Sequence, residues 1–381
     1  MTAPDPFPPA HLAQAILTID LDAIVANWHA LAARVGPAEC SAVVKADAYG
    51  TGLARVAPAL ARAGCKTFFV AHVSEAIALR AILPDRAIRI FTLNGITGNA
   101  RTVAAMLEAG VRPIAGSFEE LQLWRDAGGA AATSSGFGLQ FSTGMNRLGF
   151  APKQAGEVAA WLAANPALAA DFLMSHFVSS EESGNPLNQA QISSFEAIRA
   201  QFPGLAASLA NSSGIFLPAA PHFDLVRPGY ALYGGNPCPG SENPMRPAVR
   251  LEAPILQVRQ VEAGETCGYN ATWTAARPSR LATIGIGYAD GLLRSAAAAP
   301  GKPGAGAIAG GTRCPFAGRV SMDLIILDVT EAPEKGVRPG TFVELLGADI
   351  GVDELASHAG TIGYEILTSF GHRYHRIYTG G

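Results

Sequence analysis

Apolar positions in the first 240 residues fall into a repeating alternation. A short run of branched or aromatic residues is followed each time by a longer, Ala-rich stretch whose apolar residues recur at helical spacing. After an opening strand-like ILTID, the segment LDAIVANWHALAARV repeats Leu21, Ile24, Val25, Trp28, Leu31 and Val35 at intervals that predict an amphipathic helix. Eight short runs then read as buried strands by length and composition: 41–46, 67–73, 88–94, 111–116, 136–141, 171–177, 205–212 and 223–234. Stretches such as LARVAPALARAG and SFEELQLWRDAG lie between them and predict helices. Eight strands alternating with helices are what a parallel (β/α)8 barrel requires. An open doubly wound sheet would share much of the pattern, but no G-x-G-x-x-G follows the first strand.

After Gly234 the texture changes to a linker, GGNPCPGSENPMRP, and then to strand-like runs without intervening helices: VRLEAPILQVRQV, RLATIGIGYA, LIILDV and TFVELLG. The expected fold is therefore α/β, an N-terminal TIM-type barrel over residues 1–240 and a mainly β domain over 241–381. The opening strand, 14–20, is a candidate to pair with the β domain, and the low-complexity run 295–311 is expected to be a flexible loop.

Composition narrows the function. Apolar residues make up 49% of the 381 and charged residues only 15%, enough for a large core and no case for disorder. The 28 basic and 31 acidic residues are spread without runs, which removes the electrostatic footprint of a nucleic-acid or anionic-membrane binder and favours a small-molecule ligand. Cysteines at 40, 65, 238, 267 and 314 are odd in number, widely spaced and without C-x-x-C, which suits a reducing cytoplasm. The N-terminus lacks a signal-peptide pattern, and no stretch reaches the roughly 18 apolar residues of a membrane span. The eight histidines form no H-E-x-x-H, so no metal site is expected.

In a barrel the site lies at the C-terminal ends of the strands. Lys45 ends the first run, with Tyr49 four positions on, and a lysine at the dry end of a strand can serve as an amine nucleophile. Arg147 follows a glycine turn, His176 ends the sixth run, and Arg227 lies in the eighth; each alone also fits a structural role. Ser212, Ser213 and Gly214, with Gly229 and Tyr230, fall where barrels bind phosphate on backbone N–H groups. A lysine opposite a phosphate site suggests pyridoxal phosphate (PLP).

The segments AVVKADAYG, TGMNRLG, SHF, ANSSGI, VRPGYALYG, GYADG, VSMD and IGYEILT occur in the order found in the alanine racemase family, which the chain resembles along nearly its whole length. The resemblance implies a PLP-bearing barrel, a C-terminal β domain and a head-to-tail homodimer with shared sites. It implies that Lys45 holds PLP as an internal aldimine and acts as base on the D-enantiomer. Tyr288 is implied as the opposing base, delivered from the other subunit. It further implies that Arg147 and the Met322 backbone N–H meet the substrate and that Arg227 faces the pyridine nitrogen. Tyr49, Ser212, Gly229 and Tyr364 match phosphate or ring contacts, His176 stacks against the ring, and Asn211 is their neighbour. The product would be D-alanine for peptidoglycan. Two positions depart from the family. Gln140 and Phe141 stand where many members have a carbamylated lysine that positions the arginine, and Ser321 replaces a frequent cysteine.

The chemistry agrees with that resemblance. Racemisation needs a base on each face of Cα and an electron sink, which PLP supplies. Holding a free tyrosine ionised at pH 7 would cost roughly 4 kcal/mol, so Tyr288 needs positive neighbours, and His176 with Arg227 could supply that network. The alternatives are a broad-specificity amino acid racemase, a fold-related PLP decarboxylase, or a non-catalytic PLP-binding protein. Arg227 and Tyr288 speak against the decarboxylase, which needs a carboxylate at the pyridine nitrogen, and Tyr288 with Met322 against the binding module, which lacks the second domain.

Overall fold

A computed structural model describes residues 7–96, 98–298 and 304–381. Strand β1 (Ile16–Asp20) runs directly into helix α1 (Leu21–Val35), where the Asp20 carboxylate accepts the Ala23 N–H at 2.9 Å and caps the first turn. Leu21, Ile24, Trp28, Leu31 and Val35, three or four apart, form its buried stripe.

The barrel strands follow as β2 (Glu39–Cys40), β3 (Ala42–Val43), β4 (Thr67–Val70), β5 (Arg89–Thr92), β6 (Arg112–Ala115), β7 (Phe137–Gln140), β8 (Ala170–Met174), β9 (Ala206–Ser208) and β10 (Leu225–Val226). Strands β3 to β9 pair in parallel in sequence order. The eighth closes the ring. β10 pairs in parallel with β2, which Ser41 alone separates from β3, while Asp224 N–H donates to Ala207 at 3.0 Å and Arg227 N–H to Ala210 at 2.9 Å. Helices α2 (Lys45–Tyr49), α3 (Leu53–Ala63), α4 (Val73–Ile82), α5 (Ala100–Ala109), α6 (Phe118–Ser135), α7 (Ala155–Ala164) and α8 (Pro186–Arg199) occupy the connections. Phe69, Phe91 and Phe172, from β4, β5 and β8, meet with ring centroids 5.0–6.0 Å apart; contact between non-adjacent strands puts these rings in the barrel interior.

Two expected strands are shorter than the apolar pattern suggested. The run 205–212 is a strand only over Ala206–Ser208, and 223–234 only over Leu225–Val226, followed by a 3-10 turn at Tyr230–Tyr233. Leu209 and Ala210 are wholly buried without belonging to the ladder, so burial outlasts hydrogen bonding at the site end of these strands.

Among the described residues, one unit comprises those up to Ala23, Tyr233–Gly235 and those from Pro247 to Gly381; the barrel unit comprises those from Ile24 to Leu232 and Asn236–Arg246. The β unit contains β11 (Val249–Val261), β12 (Thr266–Cys267), β13 (Trp273–Thr274), β14 (Ser279–Ile284), β15 (Gly306–Ala309), β16 (Thr312–Pro315), β17 (Ile325–Asp328), β18 (Phe342–Leu346) and β19 (His375–Thr379). One path runs β16-β15-β18-β11-β1-β19, with β1 antiparallel to β11 and parallel to β19. The far half of β11 instead pairs with β14 past an irregularity at Ile255–Gln257.

Two features differ from the sequence reading. Helices α9 (Val352–Ala359) and α10 (Gly363–Thr368) lie between β18 and β19, beyond the four strand-like runs of the expected mainly β domain. In the run 295–311, Gly306–Ala309 forms β15 rather than loop, while 299–303 lie outside the described residues. Small residues suit this strand, because a Cβ on Gly306 would lie 2.7 Å from the Cys314 carbonyl of the paired strand.

Candidate active site

Lys45 follows β3 and opens an unusual turn. Ala46, Asp47, Ala48 and Tyr49 all have φ between 53° and 55°, four successive non-glycine residues in the left-handed region. Each costs about 1–2 kcal/mol, so such a turn persists only where its surroundings hold it. The Glu75 carboxylate does much of that. Its Oε1 accepts the Ala46 N–H at 2.6 Å, and its Oε2 accepts Ala71 and His72 at 2.8 and 3.0 Å, tying the turn to the start of α4. Asp47 Oδ1 accepts Leu53 N–H at 2.7 Å. Burial and then the nearby Arg147 charge push the Lys45 ammonium below its usual range, with Glu75 opposing them in part. The ammonium is thereby destabilised relative to that of a free lysine.

Arg227 is 3% exposed. Its guanidinium donates to Ser208 Oγ at 2.5 Å and to the Ser175 and Leu209 carbonyls at 2.6 and 3.4 Å, and among the described residues it forms no ion pair with a carboxylate. Burial alone pulls it down to about 9. His176 is held at about 3 by burial and by the charges of Arg227, Arg147 and Lys45, so its imidazole is neutral. The charges of Lys45, Arg147 and Arg227 thus meet around the neutral His176, a positive field suited to an anionic ligand.

Around it, Ser212 Oγ accepts the N–H groups of Gly229 and Ala231 at 3.1 and 3.2 Å. Gly229 cannot carry a side chain, since a Cβ would sit 2.3 Å from the Tyr49 hydroxyl. Burial pushes the Tyr49 phenol well above its usual range, keeping it a neutral donor. Asn211 turns its side-chain oxygen to Gly214 N–H at 2.8 Å and Ser180 Oγ at 2.9 Å, so that oxygen supports the loop after β9.

Arg147, exposed, rides on a loop pinned at its base by Ser142 N–H to Phe150 O and Phe150 N–H to Gln140 O, both 2.9 Å. Gln140 donates its amide N–H to the Leu148 carbonyl at 3.4 Å. The loop's second support was not foreseen: Gln191 of α8, 1% exposed, donates to Thr143 Oγ1 at 3.1 Å and His176 O at 2.9 Å while accepting Val178 N–H at 2.9 Å. No sequence signal marks it. Glu75 did carry one, three positions after His72 at the start of a helix, the spacing of a capping box.

In the β unit, the loops of Tyr288 and Met322 are zipped together. Tyr288 N–H donates to Ser321 O and Ala289 N–H to Met322 O, both at 3.0 Å. Tyr288 and Met322 are 39% and 53% exposed, and Tyr364 is half-buried in α10.

Family comparison rests on the whole length. Residues 19–237 match the description "Alanine racemase, N-terminal domain" and residues 248–378 match "Alanine racemase, C-terminal domain". The chain belongs to the alanine racemase family. An alanine racemase of Methylobacterium nodulans is 53% identical over 96% of both chains, and a catabolic alanine racemase of Mesorhizobium japonicum is 46% identical over 97% of this chain and 94% of its own. Among solved structures, the alanine racemase of Bartonella henselae with covalently bound pyridoxal phosphate superposes with a TM-score of 0.89 at 40% identity, covering 96% of this chain and all of its own. The biosynthetic alanine racemase of Pseudomonas aeruginosa follows at 0.88 and 36%, covering 97% of this chain and all of its own.

The donor set of the barrel unit fits the alanine racemase cofactor. A buried arginine whose partners among the described residues are neutral oxygens suits a neutral ring nitrogen, and the surrounding positive field suits a phosphate.

Proposed function

We propose that this chain is a PLP-dependent isomerase that interconverts L- and D-alanine, with Lys45 and Tyr288 as bases on opposite faces of the substrate. One observation carries the reading: Arg227, buried, without a carboxylate partner among the described residues and with its charge disfavoured, stands where a neutral acceptor is the complementary group. When bound, PLP draws electron density from the bonds at the substrate's Cα and so acidifies the Cα hydrogen.

The chain's own residues do the rest. Lys45, with its ammonium destabilised, offers an amine that can attack a carbonyl and later move a proton at one face of Cα. Arg147, close enough to perturb that amine, attracts a substrate carboxylate and orients Cα. Arg227 would donate to the ring nitrogen without protonating it, which would disfavour the protonated ring that promotes transamination. Tyr49, Ser212, Gly229 and Tyr364 would hold the phosphate and ring, with Asn211 behind them, and neutral His176 would flank the ring. The Met322 backbone N–H meets the substrate. The second base comes from a head-to-tail homodimer, as Tyr288 of the partner subunit.

The reading takes the protein to be cytoplasmic, and its D-alanine to be used in peptidoglycan. Among the described residues no helix is long and apolar enough to cross a membrane. The test is to give purified protein either enantiomer of alanine and follow the other by chiral chromatography, before and after PLP is stripped and restored. Borohydride reduction with peptide mapping then locates the modified lysine. Racemisation that depends on PLP, with the label on Lys45, supports the reading; bound PLP without racemisation, or a label on another lysine, overturns it.

A further inference from the structure

We infer that Arg373 is a positioning residue, a clamp that sets the Tyr288 ring relative to the Met322 backbone. The inference rests on the reading of Tyr288 and Met322 given above. Its Nε lies 3.1 Å from Asp290 Oδ1 and its Nη1 2.8 Å from Asp323 Oδ1. Asp290 is the second residue after Tyr288 and Asp323 the first after Met322, so one planar guanidinium takes a carboxylate from each loop.

Each carboxylate is itself part of its loop. Asp290 Oδ2 accepts the Gly287 N–H at 2.9 Å and closes the 3-10 turn Tyr288–Asp290, while Gly371 N–H donates to the Asp290 carbonyl at 3.1 Å beside the arginine. The loops approach so closely that a Cβ on Gly287 would meet the Met322 carbonyl at 2.3 Å. Ser321 N–H donates to Leu324 O at 3.0 Å and shapes the second loop.

Exposure decides what such a bridge is for. The side chains of Arg373 and Asp323 are each 50% exposed while that of Asp290 is 8% exposed. Ion pairs between exposed groups add little to stability, so Asp323–Arg373 holds the fold only weakly. Geometry is another matter: misplacing a reacting group by about 1 Å costs roughly 100-fold in rate. The clamp therefore predicts loss of catalysis without loss of folding.

The variants are Arg373→Lys, which keeps the charge but loses the two-pronged fork, and Asp323→Asn, which releases the Met322 loop and leaves Asp290 paired. Both are assayed as holoenzyme for melting temperature, kcat and KM in each direction, and the primary isotope effect with 2-deuterated L- and D-alanine, beside wild type and Tyr288→Phe. The expected result is an unchanged melting temperature, a kcat about 10- to 100-fold lower, and isotope effects that rise with L-alanine and fall with D-alanine, because the Tyr288 proton transfer has become the slow step. Wild-type kcat and isotope effects in both variants, or activity lost only in step with stability, would overturn the clamp alone. A Tyr288→Phe enzyme with wild-type activity would overturn the reading of Tyr288 and the clamp with it.

Discussion

Replacing Glu75 by glutamine should loosen the turn that carries Lys45. The carboxylate accepts three backbone N–H groups: Ala46 through one oxygen, Ala71 and His72 through the other. An amide retains one acceptor oxygen, so it can serve either the left-handed turn or the start of α4. The turn's four left-handed residues store about 4–8 kcal/mol at 1–2 kcal/mol each, and losing an anchor releases part of that strain by unwinding. A bond from a backbone donor to a charged acceptor contributes about 1.5–3 kcal/mol, and less where water reaches it, as at Ala46. A net loss of about 1–2 kcal/mol follows, which for a unit of this size lowers the melting temperature by about 2–8 °C. Racemase activity should fall further than stability suggests, since Lys45 precedes the anchored Ala46 directly. Calorimetry, kcat at 25 °C and amide hydrogen exchange at Ala46, Ala71 and His72 are the measurements. Unchanged melting together with unchanged exchange at Ala46 would refute the reasoning.

Two further outcomes follow from the same site. Arg227→Met removes the donors to Ser208 and Ser175, and should weaken PLP binding by about 10-fold, one hydrogen bond of roughly 1.5 kcal/mol, as titrated by cofactor absorbance with folding checked by circular dichroism. His176 is held at about 3, below its unfolded value of 6.5, so its contribution to stability is complete above pH 6.5 and is lost as pH falls toward 3. Between pH 6.5 and 5 the unfolded chain takes up a proton that the folded site refuses, a loss of up to about 2 kcal/mol that His176→Gln should abolish in denaturant titrations.

The barrel was legible because strands buried on both faces read as continuous apolar runs, and Lys45, His176 and Arg227 stood out as polar residues ending them. The turn after Lys45 was not legible. Left-handed backbone is marked in sequences by glycine or asparagine, whereas Ala46 and Ala48 take it under tertiary restraint from Glu75, 29 positions away from Ala46. Gln191 is invisible for a similar reason, since its buried amide joins Thr143 to His176 across loops that only the fold brings together. Strand ends were overestimated where Leu209 and Ala210 stay buried beyond the ladder, and β15 was missed because alanine and glycine carry no strand signal, although Ala307 and Ala309 are wholly buried. Two short helices, α9 and α10, fall below the length at which helical periodicity separates from a buried strand.

The central claim is that two bases from two copies of this chain act on one substrate. Lys45→Ala and Tyr288→Phe should each be nearly inactive alone, because every site in either homodimer lacks one base. After a one-to-one exchange of subunits, about half of the dimers are mixed, and each mixed dimer has one intact site and one with both lesions. Alanine racemisation should then recover to about a quarter of wild type, rising in proportion to the mixed dimer seen by native mass spectrometry. Mixed dimers present in that amount with no activity recovered would contradict the account.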